Sequence, residues 1–255
     1  GVQSLGEYTY DPAEHHKLAR EIAGQCMVLM KNDNGLLPLK KDANIAVIGE
    51  MAKEPRYQGA GSSLINPITL DSAYSTLQDM GIKFNYAQGY STKKKGRKSD
   101  DFYISEAVNT AKNADVALLF IGLTDDYEAE GFDRTHMNLP EAHDKLVAEI
   151  LKVNKNAIVV LAGGSPVEMP WNDGVAAILN SYLGGQAGAG AVADIISGAV
   201  NPGGKLPETY PMFYADTPAK NNFPGNPASV EYRESIYIGY RYYEKAKKAV
   251  SYPFG

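Results

Sequence analysis

The stretch Val116–Ile121 (Val-Ala-Leu-Leu-Phe-Ile), followed by Gly122, decides the fold. Six consecutive apolar residues without alternation are typical of a central parallel strand that is covered on both faces. Three other short segments have buried-strand patterns and are also predicted to be strands: Asn44–Ile48, Ala157–Leu161 and Val175–Leu179. Ile82–Tyr86 is predicted to be a further strand.

Helices are predicted between these strands. The first begins at Asp11-Pro12-Ala13-Glu14, where Asp11 caps the helix, and it ends at Gly35 and Pro38. Apolar residues recur along this helix at spacings of four, four and three residues. The face that they form is predicted to be buried: Leu18, Ile22, Cys26 and Leu29. Later helices are predicted from Asn66-Pro67 (with Leu70, Tyr74 and Leu77 inward), over Asp101–Asn113, from Pro140 and over Ala187–Ser197.

Strands and helices therefore alternate along the chain, which predicts an α/β fold. The expected architecture is a mostly parallel six-stranded sheet with helices on both faces, an α/β sandwich. Residues 1–255 are predicted to form one domain. The part from 198 to 255 is rich in Pro, Gly, Asn and Tyr, and it is predicted to consist of loops with one short element near Ile236–Tyr243.

Composition argues against several classes of protein. The net charge is −5, and the short basic run Lys93–Lys98 is interpreted as a solvated loop, so no nucleic-acid or membrane partner is expected. No apolar run approaches the ~18 residues of a membrane span. The single cysteine, Cys26, favours a cytoplasmic protein, and export stays open because a domain of this size needs no disulfide. The chain starts at Gly1 rather than Met, so a processed or excised piece is one interpretation.

Ligands of open parallel sheets bind beyond the carboxyl ends of the strands. Four loops follow predicted strands on that side and are expected to share one edge: Gly49–Ser63, Gly122–Leu139, Gly163–Pro170 and Ser181–Gln186. The second of them holds five carboxylates within nine residues: Asp125, Asp126, Glu128, Glu130 and Asp133. Clustered carboxylates repel one another, so one of them tends to keep its proton near neutral pH, as a general acid must.

Other interpretations of this acidic loop stay open on composition alone. A solvated surface and a site for a hard cation both fit the same residues. The adjacent Asp133 and Arg134 are interpreted as bracing the loop by pairing with backbone groups or neighbouring charges.

The remaining motifs indicate no further chemistry. The loop Gly59-Ala60-Gly61-Ser62-Ser63 lacks the third glycine of a dinucleotide site, and it is interpreted as a place where backbones approach closely. The four histidines do not have metal-ligand spacing, and Ser165 lacks the flanking glycines of a nucleophile elbow. No metal and no cofactor is therefore expected.

Several separate blocks, taken in order, resemble one family. They are similar to the V-L-L-K-N…L-L-P-L, I-A-V-I-G, E-G-x-D-R…L-P and G-Y-R-Y-Y blocks in the second, α/β-sandwich domain of glycoside hydrolase family 3, a group of β-glucosidases, β-xylosidases and related exo-acting enzymes. The matching residues run along nearly the whole chain: Cys26–Leu39, Ile45–Gly49, Gly59–Ser63, Glu130–Arg134 with Leu139-Pro140, Pro166–Trp171, Gly184–Gln186, Asn201–Pro207, Tyr232–Glu234, Gly239–Tyr243 and Pro253–Gly255. Each block is weak alone, whereas the ordered set is specific.

The resemblance implies a retaining β-glycosidase, which needs two carboxylates about 5–5.5 Å apart. The family's nucleophile is an Asp on a (β/α)8 barrel domain, and neither that barrel nor the family's fibronectin-like domain is expected within residues 1–255. The Glu of E-G-x-D-R matches Glu130, so Glu130 is implied to be the acid/base, and Glu128 is the runner-up. The barrel, in cis or as a separate chain, is the expected partner, and a β-linked oligosaccharide or glycoside is the expected substrate. The chain alone is expected to be inactive.

Two other classes of function remain open. One is a non-catalytic carbohydrate-binding or scaffold module that derives from the same family, although a carboxylate at Glu130 favours an active enzyme. The other is a flavodoxin-like nucleotide-binding protein, which rests on the order of strands and helices alone and is weak because fold does not imply function.

Overall fold

The computed structural model describes residues 6, 9–62, 64–93, 95–226 and 228–255. Six strands form the main sheet: β1 (Val28–Asn32), β2 (Ile45–Ile48), β3 (Phe84–Ala87), β4 (Val116–Gly122), β5 (Ala157–Ala162) and β6 (Ala177–Asn180). Six α-helices accompany them: α1 (Pro12–Cys26), α2 (Ala73–Asp79), α3 (Asp100–Lys112), α4 (Glu141–Val153), α5 (Gly188–Ser197) and α6 (Tyr240–Ala246). A small antiparallel pair is formed by β7 (Tyr210–Pro211) and β8 (Val250–Tyr252).

The main sheet has the strand order β1-β6-β5-β4-β2-β3. All neighbouring strands are parallel except β1, which pairs antiparallel with β6 at one edge. All seven residues of β4 are buried between β2 and β5, as its unbroken apolar run predicts. The predicted α/β class and the mostly parallel six-stranded sheet are therefore confirmed.

The helices form two layers. Helices α1 and α2 both pack against α5, whereas α3 packs against α4, so that each group covers one face of the sheet. None of the helices in the described ranges combines the length and the apolar character needed to cross a membrane.

The first helix is shorter than predicted, and the segment after it is a strand. Helix α1 ends at Cys26, Met27 is extended, and the following residues form β1. Leu18 and Ile22 are 53% and 51% exposed, and Cys26 is exposed as well, so the predicted buried face is wrong. The face that packs on α5 instead carries Arg20, whose guanidinium binds Asp194 at 2.6 Å. A half-buried ion pair therefore orients this helix, and a count of apolar spacing cannot detect it.

The second helix also begins later than predicted. Its cap is Ser72, whose hydroxyl accepts a hydrogen bond from the Ser75 amide, and not Asn66. Leu70 is 41% exposed, whereas Leu77 is buried as predicted. Asp71 explains why the helix begins later, because His16 and the carbonyl of Gln186 hold this residue outside the helix.

The region from 198 to 255 is mainly loops, as predicted, and it adds the β7–β8 pair that the sequence did not indicate. The short element near its end is α6, which begins within the predicted range and extends to Ala246. Ser63 of the glycine-serine loop and Lys94 of the basic run lie outside the described residues.

The half-buried carboxyl of Asp144 predicts a pH effect on stability. Burial raises the pKa of Asp144 to about 6, although Trp171 donates its indole N–H to Oδ1 at 2.8 Å. The folded protein thus holds this proton more tightly than the unfolded chain, so stability falls as the pH rises from about 4 to about 6. Asn keeps the acceptor and carries no charge. We expect Asp144→Asn to raise the midpoint of thermal unfolding at pH 7.5 by about 2–4 °C, which is about 1 kcal/mol for a chain of this size.

The measurement compares thermal unfolding followed by circular dichroism at pH 7.5 and pH 4. The gain should largely disappear at pH 4, where Asp144 of the folded parent protein is protonated and therefore uncharged, as asparagine is in the variant. Asp42→Asn, at an exposed position, serves as the control and should change little at either pH. A gain of equal size at both pH values would show that burial of the charge is not the cause.

Candidate functional site

The four loops expected along one edge of the sheet do meet there. Ala60 pairs with Ala129 as an isolated parallel bridge, which joins the first loop to the acidic loop. The Gly164 amide donates to Glu128 Oε2 at 2.9 Å and so ties the third loop to the acidic loop. The Gly185 amide donates to the carbonyl of Tyr57 at 2.9 Å, which adds the fourth. The carboxyl ends of the strands thus present one connected surface.

Glu130 lies exposed on this surface, and the glycine-serine loop orients it. Its amide donates to the carbonyl of Ala60 at 3.0 Å, and its Oε2 accepts from the Ser62 amide at 2.6 Å. Gly61 makes this approach possible, because a Cβ there would lie 2.5 Å from both Cβ and Oε2 of Glu130, and its φ is +128°. The loop interpreted as a place of close backbone approach therefore holds a carboxylate side chain.

Glu128 has a different environment, because three residues bind it through four contacts. Arg56 approaches Oε2 at 3.1 Å and donates to the Glu128 carbonyl at 2.8 Å. The Ser165 hydroxyl donates to Oε1 at 2.5 Å, and the Gly164 amide donates to Oε2. The Arg56 side chain is only 6% exposed and that of Glu128 is 19% exposed. This carboxylate therefore fastens three loops together.

Arg134 extends the same network. It donates to the Ser165 hydroxyl at 2.7 Å and to the Pro166 carbonyl at 3.1 Å, as expected of a residue that braces the loop. Burial lowers the pKa of its guanidinium, and the nearby Glu128 opposes that shift. Asp133 is exposed. Within the described ranges, no three His, Cys, Asp or Glu side chains converge on a point where a metal ion could bind.

Comparison with known proteins assigns the family. Residues 27–240 match the model of the glycosyl hydrolase family 3 C-terminal domain. The chain belongs to glycoside hydrolase family 3. Thermostable beta-glucosidase B of Acetivibrio thermocellus is 48% identical over 249 residues, which cover 96% of this chain and 33% of that protein. An exo-alpha-(1->6)-L-arabinopyranosidase of Bifidobacterium longum is 42% identical over 264 residues, which cover 100% of this chain and 35% of that protein.

Solved structures agree with this family 3 assignment. The crystal structure of the Bifidobacterium adolescentis GH3 beta-glucosidase superimposes with a TM-score of 0.92 at 44% identity, and the match covers 98% of this chain and 37% of that one. The beta-glucosidase 3B of Thermotoga neapolitana in complex with glucose gives a TM-score of 0.83 at 30% identity, over 96% of this chain and 38% of that one. The chain thus spans about a third of the length of these relatives.

Glu234 is a further carboxylate of interest in this family 3 domain, and it was not among the site residues predicted from the sequence. Glu234 is half-buried in a segment whose other side chains are strongly exposed, with Tyr232 at 88%, Ile236 at 68% and Val230 at 60%. Exposed apolar side chains are typical of an interaction surface when they form a contiguous patch. The sequence signal was available, because Tyr232–Glu234 is one of the blocks that resemble the family.

A second such carboxyl is Glu208, which lies between the acidic loop and β7. Burial raises its pKa, and the nearby charge of Glu128 raises it further. Together with Arg134, Ser165 and Gly239, Glu208 lines a cavity of about 330 Å³. In the sequence Glu208 is an isolated acidic residue in a loop, and this pattern does not indicate a functional role.

The Arg56–Glu128 pair predicts a large stability effect. In Arg56→Ala, Glu128 would stay mostly buried without its cation, and breaking a buried pair in this way costs about 3–5 kcal/mol. We expect that loss in the free energy of unfolding, measured by urea denaturation of the chain. Lys152→Ala removes the exposed pair with Glu149 and should cost about 0–1 kcal/mol. Equal losses in the two variants would mean that Arg56 does not hold the loops together.

Proposed function

We propose that this chain supplies the general acid/base carboxylate of a retaining, exo-acting β-glycosidase. A barrel domain, in cis or as a separate chain, supplies the nucleophile, and the chain is inactive without it. In such an enzyme one carboxylate attacks the anomeric carbon while the other protonates the leaving oxygen, and the second then removes a proton from the attacking water. The observation that carries the proposal is an exposed, oriented Glu130 on the connected edge of the sheet.

The proposal assigns the acid/base role to Glu130 rather than to Glu128. A general acid must reach the leaving oxygen and must exchange protons with it. Glu130 is exposed and receives one backbone hydrogen bond to its carboxylate in the described structure, which leaves its other oxygen, Oε1, available. Both oxygens of Glu128 accept hydrogen bonds, and Arg56 lies against one of them.

Glu234 is a second candidate for the same role, and one observation favours it. The exposed apolar side chains around it, above all Tyr232 and Ile236, form a surface that a docked domain would cover. In either assignment the carboxylate belongs to this chain and the nucleophile to its partner.

The substrate proposed is a glycoside with a terminal β-linked sugar. Relatives that match nearly the whole chain are named for a β-glucoside in one case and for an α-L-arabinopyranoside in another. We extend the β-glucosidase name to this chain, because the first of these relatives has the higher identity, 48% against 42%.

The test is a chimera in which this chain replaces the matching third of the Acetivibrio thermocellus beta-glucosidase B. We expect the chimera to hydrolyse cellobiose and to release glucose first as the β anomer, which proton NMR detects before mutarotation. Release of the α anomer would contradict retention. A folded chimera without turnover would favour the alternative, a non-catalytic carbohydrate-binding or scaffold module.

A further inference from the structure

The turn that follows β1 has a left-handed backbone at two consecutive residues. Asp33–Gly35 form a single 3₁₀ turn, in which Asn34 has a φ of 55° and a ψ of 18° and Gly35 has a φ of 61°. Glycine adopts such angles freely, and asparagine is one of the few other residues that adopt them often. Asn34–Gly35 is the only Asn-Gly pair in the sequence, and it lies where the chain needs this conformation.

The same two residues can react with each other. In an Asn-Gly pair the amide nitrogen of the glycine attacks the side-chain carbonyl carbon of the asparagine, and the glycine has no Cβ that would crowd the nitrogen. All three residues of the turn are exposed. Within the described part of the chain, no group accepts a hydrogen bond from the Gly35 amide and none bonds to the Asn34 side chain. Both reacting groups are therefore free.

The reaction requires the turn to rotate first. At a ψ of 18° the Gly35 nitrogen points away from the side-chain carbon of Asn34, so the Cα–C bond of Asn34 must turn before the two atoms meet. The described hydrogen bond that closes the turn runs from the Leu36 amide to the Asp33 carbonyl, and it is long at 3.3 Å. Around Gly35 there is open space, since a Cβ placed there would have no atom within 4 Å. Little in the fold opposes the rotation.

The chain on both sides of the turn is anchored separately. The Asn32 side chain exchanges two hydrogen bonds of 2.9 Å with the backbone of Leu37, whose side chain is buried. The Asp33 amide donates to the carbonyl of Ala176 at 2.7 Å. Because these bonds do not involve Asn34 or Gly35, the turn can open locally while β1 keeps its place in the sheet.

Asn180 provides an internal comparison, because it too is followed by a small residue. It is 1% exposed, and its side-chain amide donates to the Tyr210 hydroxyl at 2.7 Å. The amide of Ser181, which would be the attacking group, donates to the Leu161 carbonyl at 2.9 Å. Both reacting groups are thus held at Asn180, whereas neither is held at Asn34.

We propose that Asn34 is a site of spontaneous deamidation, at which the folded chain converts an exposed amide into a carboxylate. The Gly35 nitrogen loses its proton and forms a bond to Cγ of Asn34, the Cγ–Nδ2 bond breaks, and Nδ2 leaves as ammonia. Water then adds to one of the two carbonyl carbons of the resulting ring and opens it. The product is aspartate or isoaspartate at position 34, and in isoaspartate the backbone continues through Cγ.

The modification adds one negative charge far from the acidic loop. Asn32 pairs with Ala177 at the amino end of β6, whereas the acidic loop lies beyond the carboxyl ends of the strands. The nearest described cation, Lys31, already lies 3.3 Å from the Asp33 carboxylate and would face a second one. The reaction is independent of the proposed function, since neither product changes a group on the connected edge of the sheet.

The test incubates the folded 255-residue chain in buffer and maps its peptides by mass spectrometry, which detects replacement of an amide NH₂ by OH. We expect position 34 to convert first, and about tenfold faster at pH 8.5 than at pH 7.5, because the deprotonated amide is the attacking group. Asn180 should stay intact over the same period. Asn34→Gln, which would have to form a larger ring, is the matched control and should gain no acidic form on ion exchange.

Three results would overturn the proposal. Asn34 could stay intact in the folded chain while it converts in guanidinium chloride, which would show that the turn protects it. Asn180 could convert as fast as Asn34 in the folded chain, which would show that exposure and free groups do not decide the site. Asn34→Gln could gain the acidic form as fast as the parent chain, which would place the new charge elsewhere.

Discussion

Replacement of Glu130 by alanine in the chimera is expected to lower kcat/KM for cellobiose about 10²–10⁴-fold, the usual contribution of general acid–base catalysis. The sugar that leaves cellobiose is a poor leaving group, so its oxygen must be protonated as the bond breaks. The loss should be much smaller with 2,4-dinitrophenyl β-glucoside, whose leaving group needs no proton. Steady-state kinetics on the two substrates measure this difference directly.

Asp133→Ala is the matched control for Glu130→Ala. Asp133 belongs to the same loop and is also exposed, so the control tests whether any loss of charge there has the same effect. We expect its kinetics on both substrates to stay close to those of the parent chimera. An equal loss on both substrates in Glu130→Ala, or an equal loss in Asp133→Ala, would indicate a distorted loop rather than a missing proton donor.

The second large effect is the inactivity expected of the 255-residue chain by itself. Double displacement needs a nucleophile opposite the acid/base, and under the proposed function a barrel domain supplies that nucleophile. We expect no hydrolysis of 4-nitrophenyl β-glucoside above the rate in buffer, even at high protein concentration. Continuous absorbance assays with the purified chain measure it.

The control for this experiment is the same preparation carrying Glu130→Ala together with Glu234→Ala. Trace activity of a contaminating glycosidase would be equal in both preparations. Turnover that the unmodified chain shows and the double variant lacks would contradict the need for a second domain.

The central sheet could be predicted from the sequence, because a strand that is buried on both faces has an unbroken run of apolar residues. The run Val116–Ile121 is apolar at every position, and the structure buries all of it in β4. Strand β1 has no such signature. Its residue Leu29 continues the apolar spacing of α1, and only the pairing with β6, about 150 residues later in the chain, makes this segment a strand. The local pattern predicts a helix in this segment, whereas pairing with a distant strand makes it part of the sheet.

The same distinction between local sequence pattern and tertiary contact applies to the candidate site. That the acidic loop lies on the ligand edge follows from strand order, and the structure bears this out through the Ala60–Ala129 bridge. The difference between Glu128 and Glu130 was beyond the sequence, because it depends on Arg56, which lies far from both in the chain and contacts only the first. The environment of Glu234 likewise depends on exposure, and a list of residue types does not contain that information.

The central claim is that a carboxylate of this chain is the acid/base, and azide rescue tests it most directly. When that carboxylate is replaced by alanine, azide can enter the vacated space and attack the glycosyl-enzyme without a base, so activity returns and a β-glucosyl azide forms. The measurement compares Glu130→Ala, Glu234→Ala and Glu208→Ala in the chimera, with 2,4-dinitrophenyl β-glucoside as substrate. We predict rescue and β-glucosyl azide for Glu130→Ala. Rescue of Glu234→Ala alone would contradict the assignment to Glu130 and keep the role within this domain, and no rescue of any variant would contradict the central claim.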